Sequence, residues 1–166
     1  MTVYRQIVQF NPKKMGKEKG MCEKNVRLGY GLPARCASAK EDMEYNKKKG
    51  ALHPISSLPS TVAVPLFVDT SSPYEHIEVS DHGTVYSDGK ILKNPFSQKF
   101  FGWGEYVAKA KVVEPCSENP IKVGDSVIVN GRGTGNSQGG GGKTKNFTNQ
   151  KMKVIRIANS RYGCNQ

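Results

Sequence analysis

Cys22 stands where a glycine-marked loop, KEKG, gives way to MCEKNVRLGYG, a run that can form two or three helical turns closed by Gly31. A cysteine attacks a carbonyl carbon as its thiolate, which a helix N-terminus and a neighbouring imidazole both favour. Position meets the first condition, so the chemistry to look for is acyl transfer through a thioester. The competing reading is a small packing residue, since free cysteines are often buried.

Three histidines could meet the second condition. His53 lies in the proline-flanked loop GALHPISSLP and His82 in the turn of SDHGT, so both read as surface residues. His76 opens HIEVS, where Ile77 and Val79 share one strand face and His76 and Glu78 the other, away from the buried side. The following TVYSD is the return strand of a hairpin. A two-residue turn at Asp81-His82 sets Ser87 opposite His76, and one at His82-Gly83 sets Ser87 opposite Glu78; Ser87 shares the His76 face either way. Asp88 does so only after a one-residue slip.

The elements that must hold these residues follow from pattern. CASAKEDMEYNKKKG, with acids leading, lysines trailing and Gly50 closing, predicts a second helix, mostly solvated. TVAVPLFVD, HIEVS and TVYSD predict three strands of a small antiparallel sheet. FFGWGEYVAKAKVVEP, residues 100–115, carries the only tryptophan and reads as the closing element of a domain.

The chain has 166 residues, which suits one domain with a core plus a small appendage. No apolar run approaches the roughly 20 residues of a bilayer span, and MTVYRQIVQFNPKKMG lacks the order of a signal peptide, so membrane insertion is not expected. The net charge of +11 predicts attraction to polyanions: nucleic acid, an anionic membrane face or anionic wall polymers. Cys22, Cys36, Cys116 and Cys164 form no C-x-x-C pair, so neither a zinc ribbon nor a thioredoxin-type motif is expected, and no metal or other cofactor is expected; a disulfide framework is possible but weakly supported, because the chain is not small and shows no secretion signal.

Beyond residue 116, IKVGDSVIVNG and KMKVIRIAN read as strands flanking RGTGNSQGGGGKTKNF, a flexible glycine-rich loop. A phosphate-binding loop would need a glycine where Ser137 stands if Gly142 is the last of the motif, so the register fails.

Taken together, MCEKNVRLGYGLPARCASAKEDMEYN, VAVPLFVD, PYEHIEVSDHGTVYSD and FFGWGEYVAKAKVVEP resemble the CHAP-type (cysteine, histidine-dependent) peptidoglycan hydrolases of bacteriophage endolysins, over roughly residues 5–115. The resemblance implies an α+β, papain-like fold with N-terminal helices packed on a small antiparallel sheet in a domain of residues 1–116. It implies Cys22 as nucleophile and His76 as general base, completed by a polar residue in YSD, with Ser87 the geometric choice and Asp88 the chemical one. Many relatives have glutamine before the cysteine; Met21 here removes that side chain from oxyanion stabilisation, leaving the Cys22 N–H. Residues 117–166 resemble the start of an SH3-like wall-binding module that lacks its closing strands.

The implied activity is cleavage of a peptidoglycan amide bond, with synthesis in a host cytoplasm without a signal peptide and action at the cell wall. Lys13, Lys14, Lys17, Lys19 and Lys24 gather near the nucleophile, either favouring its thiolate or forming a solvated face. The rival readings are a basic nucleic-acid-binding protein and a catalytically inactive relative kept for binding. Phe96, Phe100, Phe101, Trp103 and Tyr106 cluster without interleaved arginines, which argues against a base-stacking surface.

Overall fold

A computed structural model of the chain describes residues 2–116, 124, 126–134 and 144–153. Its elements, in chain order, are β1 (Tyr4–Gln6), α1 (Cys22–Tyr30), α2 (Ala39–Lys48), β2 (Leu52–His53), β3 (Ala63–Val68), β4 (His76–Asp81) and β5 (Thr84–Ser87). There follow β6 (Lys90–Ile91), β7 (Phe100–Gly104), β8 (Tyr106–Val107), β9 (Ala110–Lys111), β10 (Val113–Pro115), β11 (Ser126–Thr134) and β12 (Thr144–Lys153). The chain divides into two compact units after Cys116.

The first unit is α+β: two helices and a six-stranded antiparallel sheet of order β2-β7-β3-β4-β5-β6. The three strands read from the sequence sit together at its centre as β3, β4 and β5. β7 pairs with β3 on the other side, a contact between distant segments that local pattern does not encode.

β3 is apolar at every position because both faces of the sheet are covered. Phe67, Ile77 and Val79 pack with Val26 and Tyr30 of α1 in one cluster. Val64, Leu66 and Val85 pack with Trp103 and Tyr4 in another. The face carrying His76 and Glu78 is therefore not the open one expected from alternation: Glu78 and Ser80 are fully buried in the second layer.

α2 also departs from its sequence reading. Ser38 caps it by accepting from the Glu41 N–H, but Asp42 and Asn46, polar residues one turn apart, are wholly buried. They are buried because they bind the backbone of the β8–β9 hairpin. Asp42 Oδ2 accepts from Ala108 N at 3.0 Å, and Asn46 takes both Tyr106 N (2.9 Å) and Tyr106 O (3.0 Å). Gly104 lies against Asn46: a Cβ there would stand 2.5 Å from its Oδ1.

The second unit, in its described part, is the β11–β12 hairpin, with an irregularity between Val129 and Gly131. Residues 132–134 and 144–147, read from composition as glycine-loop, are strand instead. Their threonines and Phe147 suit a paired strand, which shortens the loop at both ends. The SH3-like reading depends on runs such as VIRIAN that lie outside the described residues.

Asn46→Ala should cost about 2–4 kcal/mol, because it strips two buried backbone groups of their partners. Glu44→Ala, exposed on the same helix, should stay within about 0.5 kcal/mol. Urea denaturation followed by Trp103 fluorescence compares them, and equal midpoints would contradict the clamp.

Candidate active site

α1 begins at Cys22. Its N-cap, Met21, supplies no side-chain hydrogen bond, and the first intrahelical bond runs from Asn25 N to Met21 O at 2.8 Å. The N–H groups of the first turn therefore keep their partial positive charge for whatever lies beside the Cys22 side chain. Gly31, at φ 68°, closes the helix in the left-handed conformation that glycine adopts without strain.

Asn25 fixes where that first turn sits. It is fully buried; its Nδ2 donates to Glu18 O (2.8 Å) and to Asp88 Oδ1 (2.8 Å), and its Oδ1 accepts from Glu18 N at 3.2 Å. Gly16 N donates to the Asn25 carbonyl, and a Cβ on Gly16 would stand 2.2 Å from Asn25 Oδ1. The loop before Cys22 and the turn after β5 are thus both tied to α1.

The β4–β5 hairpin turns at His82-Gly83, both at positive φ, so Val79 pairs with Tyr86 and Ser87 falls opposite Glu78. Ser87 still reaches diagonally to His76: its Oγ lies 2.9 Å from Nε2. Asp88 does not join them. It occupies the two-residue turn between β5 and β6 at φ 45°, and its carboxylate accepts from Asn25. The carboxylate at His76 is that of Glu78, with Oε1 3.5 Å from Nε2. Gln98 Nε2 donates to both Glu78 oxygens, at 3.2 and 3.4 Å. Two residues apart on one strand, His76 and Glu78 share a face, and that spacing is the signal the sequence offers for the pair.

Burial of His76 disfavours its charged form, but hydrogen bonding to Cys22 and Glu78 and the negative charge of both outweigh it, raising the pKa from 6.5 to about 10. At neutral pH the imidazolium is favoured. Cys22 and Cys36 are free thiols. Burial and the Asp42 carboxylate push Cys36 up to about 12, so it is an inert thiol. Cys116 is disulfide-bonded, although chain length and the lack of a secretion signal gave little reason to expect it, because neither reveals which cysteines meet in space.

Of the other histidines, His82 is an exposed turn residue beside Asp81. His53 is not a surface residue: only 24% of its side chain is exposed, Nε2 meets Glu105 Oε1 at 2.9 Å, and its ring stacks on Trp103 at 4.3 Å. Lys13, Lys14, Lys17 and Lys19 are exposed, and Lys24 pairs with Glu18.

A groove of about 550 Å³ opens beside Cys22, walled by the first turns of both helices and by the segment before β4, with Met21 and Tyr74 exposed at its rim. Among the described residues no cluster of side chains could hold a metal ion, and no helix is long and apolar enough to cross a membrane. No family model, curated protein or solved structure matches the chain.

The raised value of His76 fixes the sign of a pH effect. Its contribution to stability is fully present below about pH 6.5 and is lost as pH rises through about 10. Glu78→Gln and Cys22→Ala should each lower the His76 pKa measured by NMR titration of its ring protons. A value that neither substitution moves would show that these groups do not hold the charge.

Proposed function

We propose that this chain is a papain-like cysteine hydrolase of the CHAP type that cuts an amide bond of bacterial peptidoglycan, as a phage lysin does. The observation that carries the reading is Cys22 at an uncapped helix N-terminus, hydrogen-bonded to His76, whose Nε2 meets Ser87 and Glu78.

In the reaction, the Cys22 thiolate attacks the amide carbonyl, forming an S–C bond and a tetrahedral oxyanion. The Cys22 N–H, unpaired within the helix, is one donor to that oxyanion. The imidazolium gives its proton to the departing nitrogen, the C–N bond breaks, and a thioester remains. Water then attacks the thioester while His76 takes its proton, and the acid leaves as Cys22 returns to thiolate. Ser87 and Glu78 act as positioning residues, holding the ring and favouring its charged form.

The groove beside Cys22 offers a seat for a peptide, with Met21 and Tyr74 as apolar contacts at its mouth. The net charge of +11 would speed encounter with a wall bearing anionic polymers, an advantage that salt removes.

The wild type should clear suspensions of purified Gram-positive cell walls and expose new amino groups, whose identity names the bond, without new reducing ends. Cys22→Ala and His76→Ala should lower the rate by roughly a thousandfold or more, and Ser87→Ala by about tenfold. Unchanged clearing by Cys22→Ala, or inactivity of the wild type on diverse walls, would overturn the reading.

A further inference from the structure

Glu78 supports His76, and what supports Glu78 comes from another part of the chain. Glu78 is 1% exposed, with uncharged neighbours in the sheet, Leu66 of β3 on one side and Ser87 of β5 on the other. A carboxylate so buried keeps its charge only if donors serve its oxygens; otherwise it takes up a proton and loses its influence on His76. The charged side chain it meets is His76, with Oε1 3.5 Å from Nε2. Gln98 supplies a neutral donor to both oxygens, its Nε2 lying 3.2 Å from Oε1 and 3.4 Å from Oε2.

The surroundings of Gln98 leave its amide one orientation. Nε2 also donates to Pro95 O at 3.2 Å, so its two hydrogens divide between a backbone carbonyl and the carboxylate. Flipped, the amide would turn its own oxygen towards acceptors that have no hydrogen to give. The backbone on either side is tied as well: Pro95–Ser97 forms a turn of 3-10 helix, and Lys99 O accepts from Asp69 N at 2.9 Å. The residue type suits the place. A lysine would donate too, but it would answer the charge of Glu78 and repel the imidazolium, and a carboxylic acid would compete for the proton. An amide neither gains nor loses a proton near neutral pH, so it holds the carboxylate and leaves the charge to His76.

We propose that Gln98 is a positioning residue of the active site, keeping the buried Glu78 carboxylate ionised and directed at His76 Nε2. Its effect on turnover rests on the hydrolase reading; the link from Gln98 through Glu78 to His76 does not.

The test uses the full chain, isotopically labelled for NMR. The side-chain amide protons of Gln98 should shift in step with the titration of the His76 ring protons, because Glu78 relays the change, and Glu78→Gln should uncouple the two. Gln98 protons that stay still while His76 titrates would overturn the proposal, and this readout stands even where a Gln98 variant fails to fold. Gln98→Met, which keeps the length and drops the donors, should lower kcat on solubilised wall fragments by about tenfold at about pH 6, with KM unchanged. Without its donor the carboxylate binds a proton more readily, and higher pH removes that proton, so the deficit should narrow towards about pH 8. A deficit of the same size at every pH, or one confined to KM, would overturn the proposal. Coupled titration in a chain that cuts no wall would leave the link standing without the hydrolase. Cutting that Gln98→Met leaves unchanged would do the reverse.

Discussion

The side-chain amide of Asn25 joins the three backbone segments whose separation sets the geometry of the site. One turn beyond Cys22 on α1, it spends its donors and acceptor on Glu18, before the nucleophile, and on Asp88, after Ser87. A buried amide satisfied at this many points holds its neighbours in one arrangement, because any shift leaves a polar group unpaired in a dry interior. The close fit extends to Gly16, where no side chain could stand. The first turn of α1 and the start of β4 thus meet in a fixed relation, and the Cys22–His76 partnership depends on it.

Around that junction the charges divide by depth. Lysines occupy the surface, while the buried ionisable groups are largely acids: Glu23, Asp42, Glu78 and Glu105. Each of three has a use in the fold. Asp42 binds a backbone hairpin, Glu105 meets His53 and Lys111, and Glu78 keeps His76 charged. The same low-dielectric surroundings that strengthen these pairings make the unpaired Glu23 oxygen conspicuous.

Much of this site was legible in the sequence because it follows from local rules. Cys22 at a helix start comes from Gly20 and the periodic run after it, and the nearness of Ser87 to His76 comes from strand alternation across a two-residue turn. The rest needed knowledge of what covers each face. Asp88 was a candidate on chemical grounds, but at the turn its carboxylate is directed to α1 and so bonds Asn25. Alternation places Glu78 on the His76 face, away from the expected core; the cluster around Trp103, brought in by β7 from far along the chain, closes that face and gives the acid its role. α2 was misjudged for a related reason: Asp42 and Asn46 look solvated until the β8–β9 hairpin is laid against them.

The central claim is that Cys22 carries the acyl group between the two halves of the reaction. The most direct measurement is intact-protein mass spectrometry of the wild type, acid-quenched within the first turnovers on solubilised wall fragments. The account predicts a mass increase equal to an acylating fragment, localised by digestion to the peptide containing Cys22 and released by hydroxylamine. Cleavage of wall amide bonds with no acyl mass on that peptide, under conditions where a control thioester survives, would contradict it.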